Sequence, residues 1–190
     1  MSVVFGLSRR SLLAGAAGCC AIASGARQAL AGPGELAVRS PRRALEAATF
    51  LDVAGAVKRL SDFVGRGLVV NLWATWCPPC VEEMPSLERL AVAVAPDRIE
   101  VLALSQDRGG AEVVRSFYAR LGIRRLEIWL DPRGAASRAW GARGLPTTLI
   151  IDRAGLEAAR LEGAAAWDDP AMIGRIRGLV QPVGPSIAAT

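Results

Sequence analysis

The chain has 190 residues, with 23 basic and 18 acidic side chains and no histidine. No basic cluster is interleaved with aromatic residues, so the composition gives no support to nucleic-acid binding. Once the N-terminal segments described next are set aside, about 140 residues remain, which is the size of one ordinary domain.

Residues 1–31 have the layout of a signal peptide. They contain three arginines and no acidic residue, and residues 29–31 form an A-x-A cleavage pattern. Their apolar stretch is shorter than the roughly 20 residues of a membrane-spanning helix. We therefore predict a cleaved export signal, and the adjacent Arg9 and Arg10 favour the twin-arginine route. An ordinary secretory signal and lipidation at Cys19 are the alternatives.

Residues 32–49 contain two prolines and three arginines, a composition that predicts a linker between the cleavage site and the domain. We place the domain at residues 50–180 and a flexible tail at 181–190. At the start of the domain, residues 50–53 and 57–60 flank an Ala-Gly-Ala turn, which predicts a β-hairpin.

The central stretch is a run at residues 68–74 in which most residues are apolar, followed by a C-x-x-C pair, Cys77 and Cys80. The run lacks helical periodicity and charge, which is typical of a strand buried on both faces. Apolar residues then recur at helical spacing from Met84 onward. The two cysteines are therefore predicted to lie where a buried strand passes into a helix.

A cysteine at the N-terminus of a helix is more readily ionised. Unpaired N–H groups and the dipole at a helix N-terminus stabilise a thiolate, which is the attacking species in disulfide exchange. Cys77 is thus the predicted nucleophile, and Cys80, one turn inside the helix, is placed to close a disulfide with it. Pro78 and Pro79 fit the first turn, because its N–H groups have no helical partner.

Two other interpretations of the C-x-x-C pair must be considered. Zinc usually takes four Cys or His ligands, but the chain lacks histidine, and its other cysteines, Cys19 and Cys20, lie in the predicted signal. A purely structural disulfide is the second alternative. After signal cleavage only Cys77 and Cys80 would remain, and an oxidising compartment in which one pair is cycled favours a redox-active pair.

The run V-V-N-L-W-A-T-W-C-P-P-C-V-E-E-M-P, at residues 69–85, resembles the exported thioredoxin-like disulfide reductases of the TlpA, ResA and CcmG type. The likeness covers roughly residues 50–180. It implies a thioredoxin-like three-layer sandwich of class α/β, with a mixed central sheet, an N-terminal β-hairpin and helices on both faces. These relatives are exported or membrane-tethered bacterial proteins, and many serve cytochrome assembly.

The remaining pattern agrees with an α/β sandwich containing a mixed sheet. Residues 156–161 are predicted to form a hairpin with 148–151. The last helix is predicted at 170–180, with Asp168 or Asp169 as its N-cap. The other predicted elements are strands at 99–105 and 126–130 and helices at 111–121 and 135–140.

The resemblance also implies a cis-proline that faces the C-x-x-C pair. Gly144-Leu145-Pro146 stands immediately before a predicted strand. We therefore expect a cis bond between Leu145 and Pro146. It would expose the backbone of Leu145 as an extended edge on which a substrate segment pairs like a strand.

Glu83 lies one helical turn after Cys80, so the two side chains can share a face. A carboxylate beside a buried thiol can accept its proton, and the family has an active-site glutamate at this spacing. Partial burial would raise its pKa. The alternative is a solvated carboxylate, which is how we interpret Glu82. Ordinary thioredoxins have a buried aspartate at the position of Asn71, so here the base is Glu83 or water.

The tryptophans receive separate assignments. Trp76 is expected to cover the disulfide and contact the partner, whereas Trp73, within the strand, is expected in the core. The remaining three are assigned to packing or surface: Trp129, Trp140 and Trp167.

We therefore predict a periplasmic protein disulfide reductase that has no cofactor and no metal. The resemblance implies apocytochrome c or a copper-site assembly protein as substrate, and a membrane thiol–disulfide transporter as electron donor. A thiol oxidase is disfavoured by the two prolines between the cysteines and by the lack of histidine. A Cu(I) chaperone also lacks its histidine, although two thiolates suit that ion. A peroxidase would need a peroxidatic cysteine in its own motif.

Overall fold

The computed structural model describes residues 35–182. The strands are β1 (Ala37–Ala44), β2 (Phe50–Leu51), β3 (Val57–Lys58), β4 (Gly67–Trp73), β5 (Ile99–Ser105), β6 (Trp129–Leu130), β7 (Thr147–Ile151) and β8 (Leu156–Glu162). The helices are α1 (Pro78–Val94), α2 (Gly110–Leu121), α3 (Ala135–Ala139) and α4 (Pro170–Leu179). All eight strands form one sheet, in the order β1-β8-β7-β4-β5-β6-β2-β3.

Strand β4 lies in the middle of the sheet, and all seven of its residues are buried. It pairs in parallel with β5 and antiparallel with β7, so the sheet is mixed as predicted. Val69 and Trp73 belong to one core cluster, while Val70 and Leu72 belong to a second on the opposite face. Because both faces are covered, the strand is apolar on both sides rather than alternating, with Asn71 as its one polar side chain.

The helices cover both faces of the sheet, which confirms the thioredoxin-like α/β fold. Buried residues of α1, α2 and α4 pack in the first core cluster, and α3 contributes Ala136 to the second. The predicted hairpin is present as β2 and β3. Helix α4 begins at Pro170 as predicted, and its N-cap is Asp169, whose side chain accepts hydrogen bonds from the N–H groups of Ala171 and Met172.

Residues 37–44 form a strand, although the sequence predicted a linker there. They form β1, which pairs antiparallel with β8, so the prediction of a linker over 32–49 is wrong for this stretch. Leu36, just before the strand, is 3% exposed and joins the core. The prolines and arginines resembled a linker, but Arg39 and Arg43 bind the buried carboxylate of Glu157 and hold the strand against the sheet.

Three other sequence predictions either fall largely outside the described residues or differ from the observed strand pairing. The predicted signal, 1–31, and all but two residues of the predicted tail lie outside the described residues. The strand predicted at 126–130 is reduced to Trp129–Leu130, because only those residues pair with β5. Across residues 35–182, the helices are too short or too polar to cross a membrane.

Candidate active site

The two cysteines lie at the N-terminus of α1 as predicted. Cys77 is the N-cap residue and has an extended backbone, while Pro78 and Pro79 occupy the first two helical positions. Cys77 and Cys80 form a disulfide, with their Cα atoms 5.3 Å apart. The N-terminal end of the helix dipole therefore acts directly on Cys77, where it favours a thiolate once the disulfide is reduced.

The two sulfur-bearing residues differ in their access to solvent. Cys77 is 5% exposed, whereas Cys80 is completely buried. Around Cys77, Pro78 and Pro79 are exposed, and Trp76 is 67% exposed despite its large apolar ring. A large exposed aromatic side chain beside a reactive pair is the type of residue that recognises a protein partner. An incoming disulfide would thus reach Cys77 and not Cys80.

The bond between Leu145 and Pro146 is cis, as expected. Because β7 runs antiparallel to β4, with Thr147 opposite Leu72, the start of β7 lies at the sheet edge where β4 ends. The same edge carries the disulfide, which follows β4 in the chain. Pro146 is buried and its carbonyl accepts a hydrogen bond from the N–H of Gly163, whereas Leu145 is partly exposed. A second cis bond, which the sequence did not predict, lies between Ser40 and Pro41.

Glu83 is only 3% exposed, so the alternative of a solvated carboxylate does not hold for it. Its Oε1 accepts a hydrogen bond from Asn71 Nδ2 at 2.7 Å. Its Oε2 accepts from Trp167 Nε1 at 2.8 Å and from the backbone N–H of Ala165 at 3.1 Å. Burial raises the pKa of Glu83, and the hydrogen bonds from Trp167, Asn71 and Ala165 oppose part of that rise.

Asn71 is completely buried at the centre of this network. Its Nδ2 donates to Thr148 Oγ1 at 2.9 Å as well as to Glu83. Its Oδ1 finds no hydrogen-bond partner among the described residues. The amide therefore orients the carboxylate of Glu83 but cannot take up a proton itself.

Trp167 is the site residue that sequence reasoning missed. It was assigned to packing or surface; it is completely buried, and its indole N–H binds the carboxylate of Glu83. It lies in the segment between β8 and α4, 84 positions after Glu83. No local pattern relates the two residues, so only the fold shows that they meet. Of the other tryptophans, Trp73 lies in the core as predicted, stacked on Tyr118.

Residues 35–182 contain no preformed metal site. No group of three or more Cys, Asp or Glu side chains in that part of the chain is arranged to hold an ion. The cysteine pair itself offers exchange between thiols and a disulfide, with Cys77 slightly exposed, Cys80 completely buried and the buried carboxylate of Glu83 one turn further along α1.

The family model described as the AhpC/TSA family matches residues 41–156, more than half of the chain. The chain belongs to the AhpC/TSA family. It is 32% identical over 118 residues to the thiol–disulfide oxidoreductase ResA of Geobacillus thermodenitrificans, covering 62% of this chain and 67% of that one. It is 31% identical over 104 residues to the thiol:disulfide interchange protein HelX of Rhodobacter capsulatus, covering 55% and 56%.

Among solved structures, this AhpC/TSA member is similar to a putative thiol:disulfide interchange protein DsbE from Chlorobium tepidum. The TM-score is 0.62 at 25% identity, over 73% of this chain and 96% of that one. The chain spans about two thirds of the length of the ResA relatives. The matched region is thus a thioredoxin-like domain of the thiol–disulfide oxidoreductase type.

Proposed function

We propose that this protein is an exported reductant that transfers electrons from Cys77 and Cys80 to disulfides of specific partner proteins. The observation that carries the proposal is the unequal placement of the two cysteines. Cys77 caps α1 beside the exposed Trp76, and Cys80 is fully buried one turn further on. One sulfur is thereby suited to attack a partner, and the other to complete the reaction from within.

The reaction starts from the reduced pair. The thiolate of Cys77 attacks one sulfur of the partner's disulfide, forming a mixed disulfide and releasing the other sulfur as a thiolate. Cys80 then loses its proton, and its sulfur attacks Cys77 Sγ and releases the partner. The partner gains two electrons and two protons, and Cys77 and Cys80 are left as the disulfide.

Glu83 is the base that we assign to the second step. Its buried carboxylate lies one helical turn after Cys80, and burial raises its pKa. A base whose pKa is raised toward that of the working solution both accepts and returns a proton efficiently. Asn71 donates to one oxygen of this carboxylate and Trp167 to the other, so both are positioning residues in this scheme.

Substrate contact is proposed for the surface around Cys77. Trp76, Pro78 and Pro79 are exposed there, and the partly exposed Leu145 precedes the cis bond at the same sheet edge. An extended partner segment would pair with the backbone at Leu145 while its disulfide meets Cys77.

The cellular setting follows from the resemblance and from the predicted signal. We place the protein in the periplasm, where a reductant must be recharged continually, so a membrane thiol–disulfide transporter is the proposed donor. Apocytochrome c, through its C-x-x-C-H haem site, is the first proposed substrate and a copper-site assembly protein the second. Cys80→Ser should trap such partners as mixed disulfides on Cys77, and sequencing the trapped proteins would distinguish the two.

The direction of electron flow is tested by the reduction potential of the pair, titrated with dithiothreitol or glutathione buffers and followed by tryptophan fluorescence. A value near or below about −270 mV supports a reductant. A value near about −120 mV, that of a strong oxidant, would reverse the proposed direction. The lack of any reversible transition would contradict a redox function altogether.

A further inference from the structure

A groove of about 680 Å³ opens beside the exposed ring of Trp76. It lies between the segment that follows β5 and the segment that follows β6. These two strands are parallel neighbours, so the segments after them emerge at the same edge of the sheet, which is the edge that carries the disulfide. The lining includes Trp76, Gln106, Pro132 and three arginines, Arg108, Arg133 and Arg138.

The three arginines are exposed. None of them forms an ion pair with a carboxylate among residues 35–182, whereas arginines elsewhere do so, as Arg143 does with Glu162 at 2.8 Å. The one polar contact in the set joins Arg138 Nη1 to the carbonyl of Arg133 at 2.6 Å. That bond orients one guanidinium and adds no negative charge.

Two carboxylates lie close to these arginines in the sequence, and both are buried and hydrogen-bonded to other groups. Asp107 is 4% exposed and accepts hydrogen bonds from the N–H and the hydroxyl of Thr75 and from the hydroxyl of Ser105. Asp131 is 3% exposed and accepts from the N–H groups of Ala135 and Ser137. Both carboxylates stabilise the two segments from inside, which leaves the guanidinium groups to face the groove.

We propose that this groove binds an acidic stretch of the polypeptide that carries the disulfide to be reduced. The inference rests on the proposed function, and it adds the class of partner. Guanidinium groups bind carboxylates through paired hydrogen bonds, and a wall of one charge sign speeds the encounter with an oppositely charged partner. Trp76 borders the groove and precedes Cys77, so a segment held there delivers a neighbouring disulfide to the reactive sulfur.

The test uses two synthetic peptides that share one C-x-x-C disulfide. One carries Asp and Glu on both sides of the cysteines, and the other carries Asn and Gln at those positions. The reduced full-length protein should reduce the acidic peptide about tenfold faster at low ionic strength. The advantage should disappear in about 1 M salt, where charges are screened beyond about 3 Å. Equal rates for the two peptides at low salt would overturn the proposal.

Charge reversal assigns the effect to the groove. The triple variant R108E/R133E/R138E should lose the preference or invert it. Arg108→Gln changes one exposed side chain and should weaken the preference for the acidic peptide in part. This single variant tests the groove even if the triple variant fails to fold. The matched control is Arg124→Glu, because Arg124 is exposed after α2 and its side chain pairs with no carboxylate among the described residues. If the triple variant keeps the preference, the groove is not the binding surface.

Two further measurements separate this proposal from the proposed function. Hydroxyethyl disulfide is small and uncharged, so dividing each variant's peptide rates by its rate with this compound removes any change in the reactivity of Cys77 itself. If wild type does not reduce it, the redox function itself fails. A cysteine-free acidic peptide should bind the oxidised wild-type protein, but not the triple variant, in calorimetry. Binding to phosphatidylglycerol vesicles instead of the peptide would overturn the assignment to a polypeptide.

Discussion

Trp167 donates its indole N–H to Glu83 Oε2 at 2.8 Å, and this bond joins the loop before α4 to the first turns of α1. The other carboxylate oxygen is held by Asn71, so Glu83 is fixed from two sides in a buried site. Burial raises the pKa of Glu83, and the hydrogen bonds from these donors lower it in part. Altering one donor at a time should therefore tune the pKa of Glu83 without moving the cysteines.

The first prediction concerns Trp167→Phe, which removes the indole donor and keeps most of the aromatic volume. With one donor fewer, the pKa of Glu83 should rise further, because the hydrogen bond favours the ionised form. The midpoint of the pH profile for resolution of the mixed disulfide should shift upward. Stopped-flow release of a peptide from Cys77 measures that profile.

Trp140→Phe is the matched control for this experiment. Trp140 is also buried and also loses an indole donor, but its bond goes to the carbonyl of Glu46, and its ring packs in the other core cluster. Its midpoint should stay at the wild-type value. A shift of the same size in both variants would mean that lost packing, not the contact with Glu83, moves the profile.

The second prediction concerns the base itself. In Glu83→Gln the resolving step should slow by about 10²-fold, at the lower end of what a positioned base contributes. The wild-type rate should rise as the pH passes through the raised pKa of Glu83, because only the ionised carboxylate accepts the proton; the variant should lack this limb. The first step, measured as attack of Cys77 in a Cys80→Ser background, should keep its rate. Exposed Glu82, changed to Gln, should affect neither step.

The third prediction uses Asn71→Asp, which replaces the amide donor to Glu83 by a second carboxylate. Two buried carboxylates at hydrogen-bond distance retain one proton between them, so one of the two pKa values is strongly raised on folding. The native state then binds more protons than the unfolded chain, and the free energy of unfolding must fall as the pH rises above about 4. The loss amounts to about 1.4 kcal/mol for each further pKa unit.

Urea unfolding at pH 5 and pH 8 checks this prediction. Wild type should lose less stability between the two pH values than Asn71→Asp. The double variant N71D/E83Q contains a single carboxyl group in the site, so its pH dependence should return toward that of wild type. If the free energy of unfolding changed with pH equally in the single and the double variant, the two carboxyl groups would not share a proton.

Local patterns were sufficient for the centre of this molecule. The apolar run of β4 and the helical spacing after Cys80 predicted the strand, the helix and the place of Glu83 beside it, because each signal is contained in a few consecutive residues. Pro146 is different. Its cis bond followed only from the resemblance, since nothing in the Gly-Leu-Pro sequence itself demands it.

The contacts that complete the site were not predictable from such patterns. Trp167 meets Glu83 from 84 positions away, and Arg39 meets Glu157 from 118 positions away. Strand β1 was mistaken for a linker for the same reason. Its arginines bind a buried carboxylate of β8, a strand that lies far away in the sequence, and no local pattern shows that contact. The arginine groove likewise forms only because β5 and β6 end at the same edge of the sheet.

The last prediction tests what holds β1 in place. The side chain of Glu157 is completely buried and accepts hydrogen bonds from Nε of Arg39, Arg43 and Arg160, at 3.2, 2.7 and 2.8 Å. Burial alone would raise the pKa of this carboxyl, but the hydrogen bonds from Arg160 and Arg43 and the charges of Arg160 and Arg39 lower it below its ordinary value of 4.5. Its contribution to stability is therefore present above about pH 4.5 and is lost as the pH falls through the lowered pKa.

Glu157→Gln should cost about 3–5 kcal/mol of unfolding free energy at pH 7, because it leaves arginine charges around a neutral buried group. The control is Glu162→Gln, whose partner Arg143 is 77% exposed in its side chain, so that change should cost about 1 kcal/mol or less. Urea unfolding gives both values. Hydrogen exchange of the β1 amides should accelerate in Glu157→Gln alone, because within residues 35–182 this strand pairs only with β8 and depends on these arginine contacts to stay docked. Similar losses in the two variants, or unchanged exchange in β1, would contradict the role assigned to Glu157.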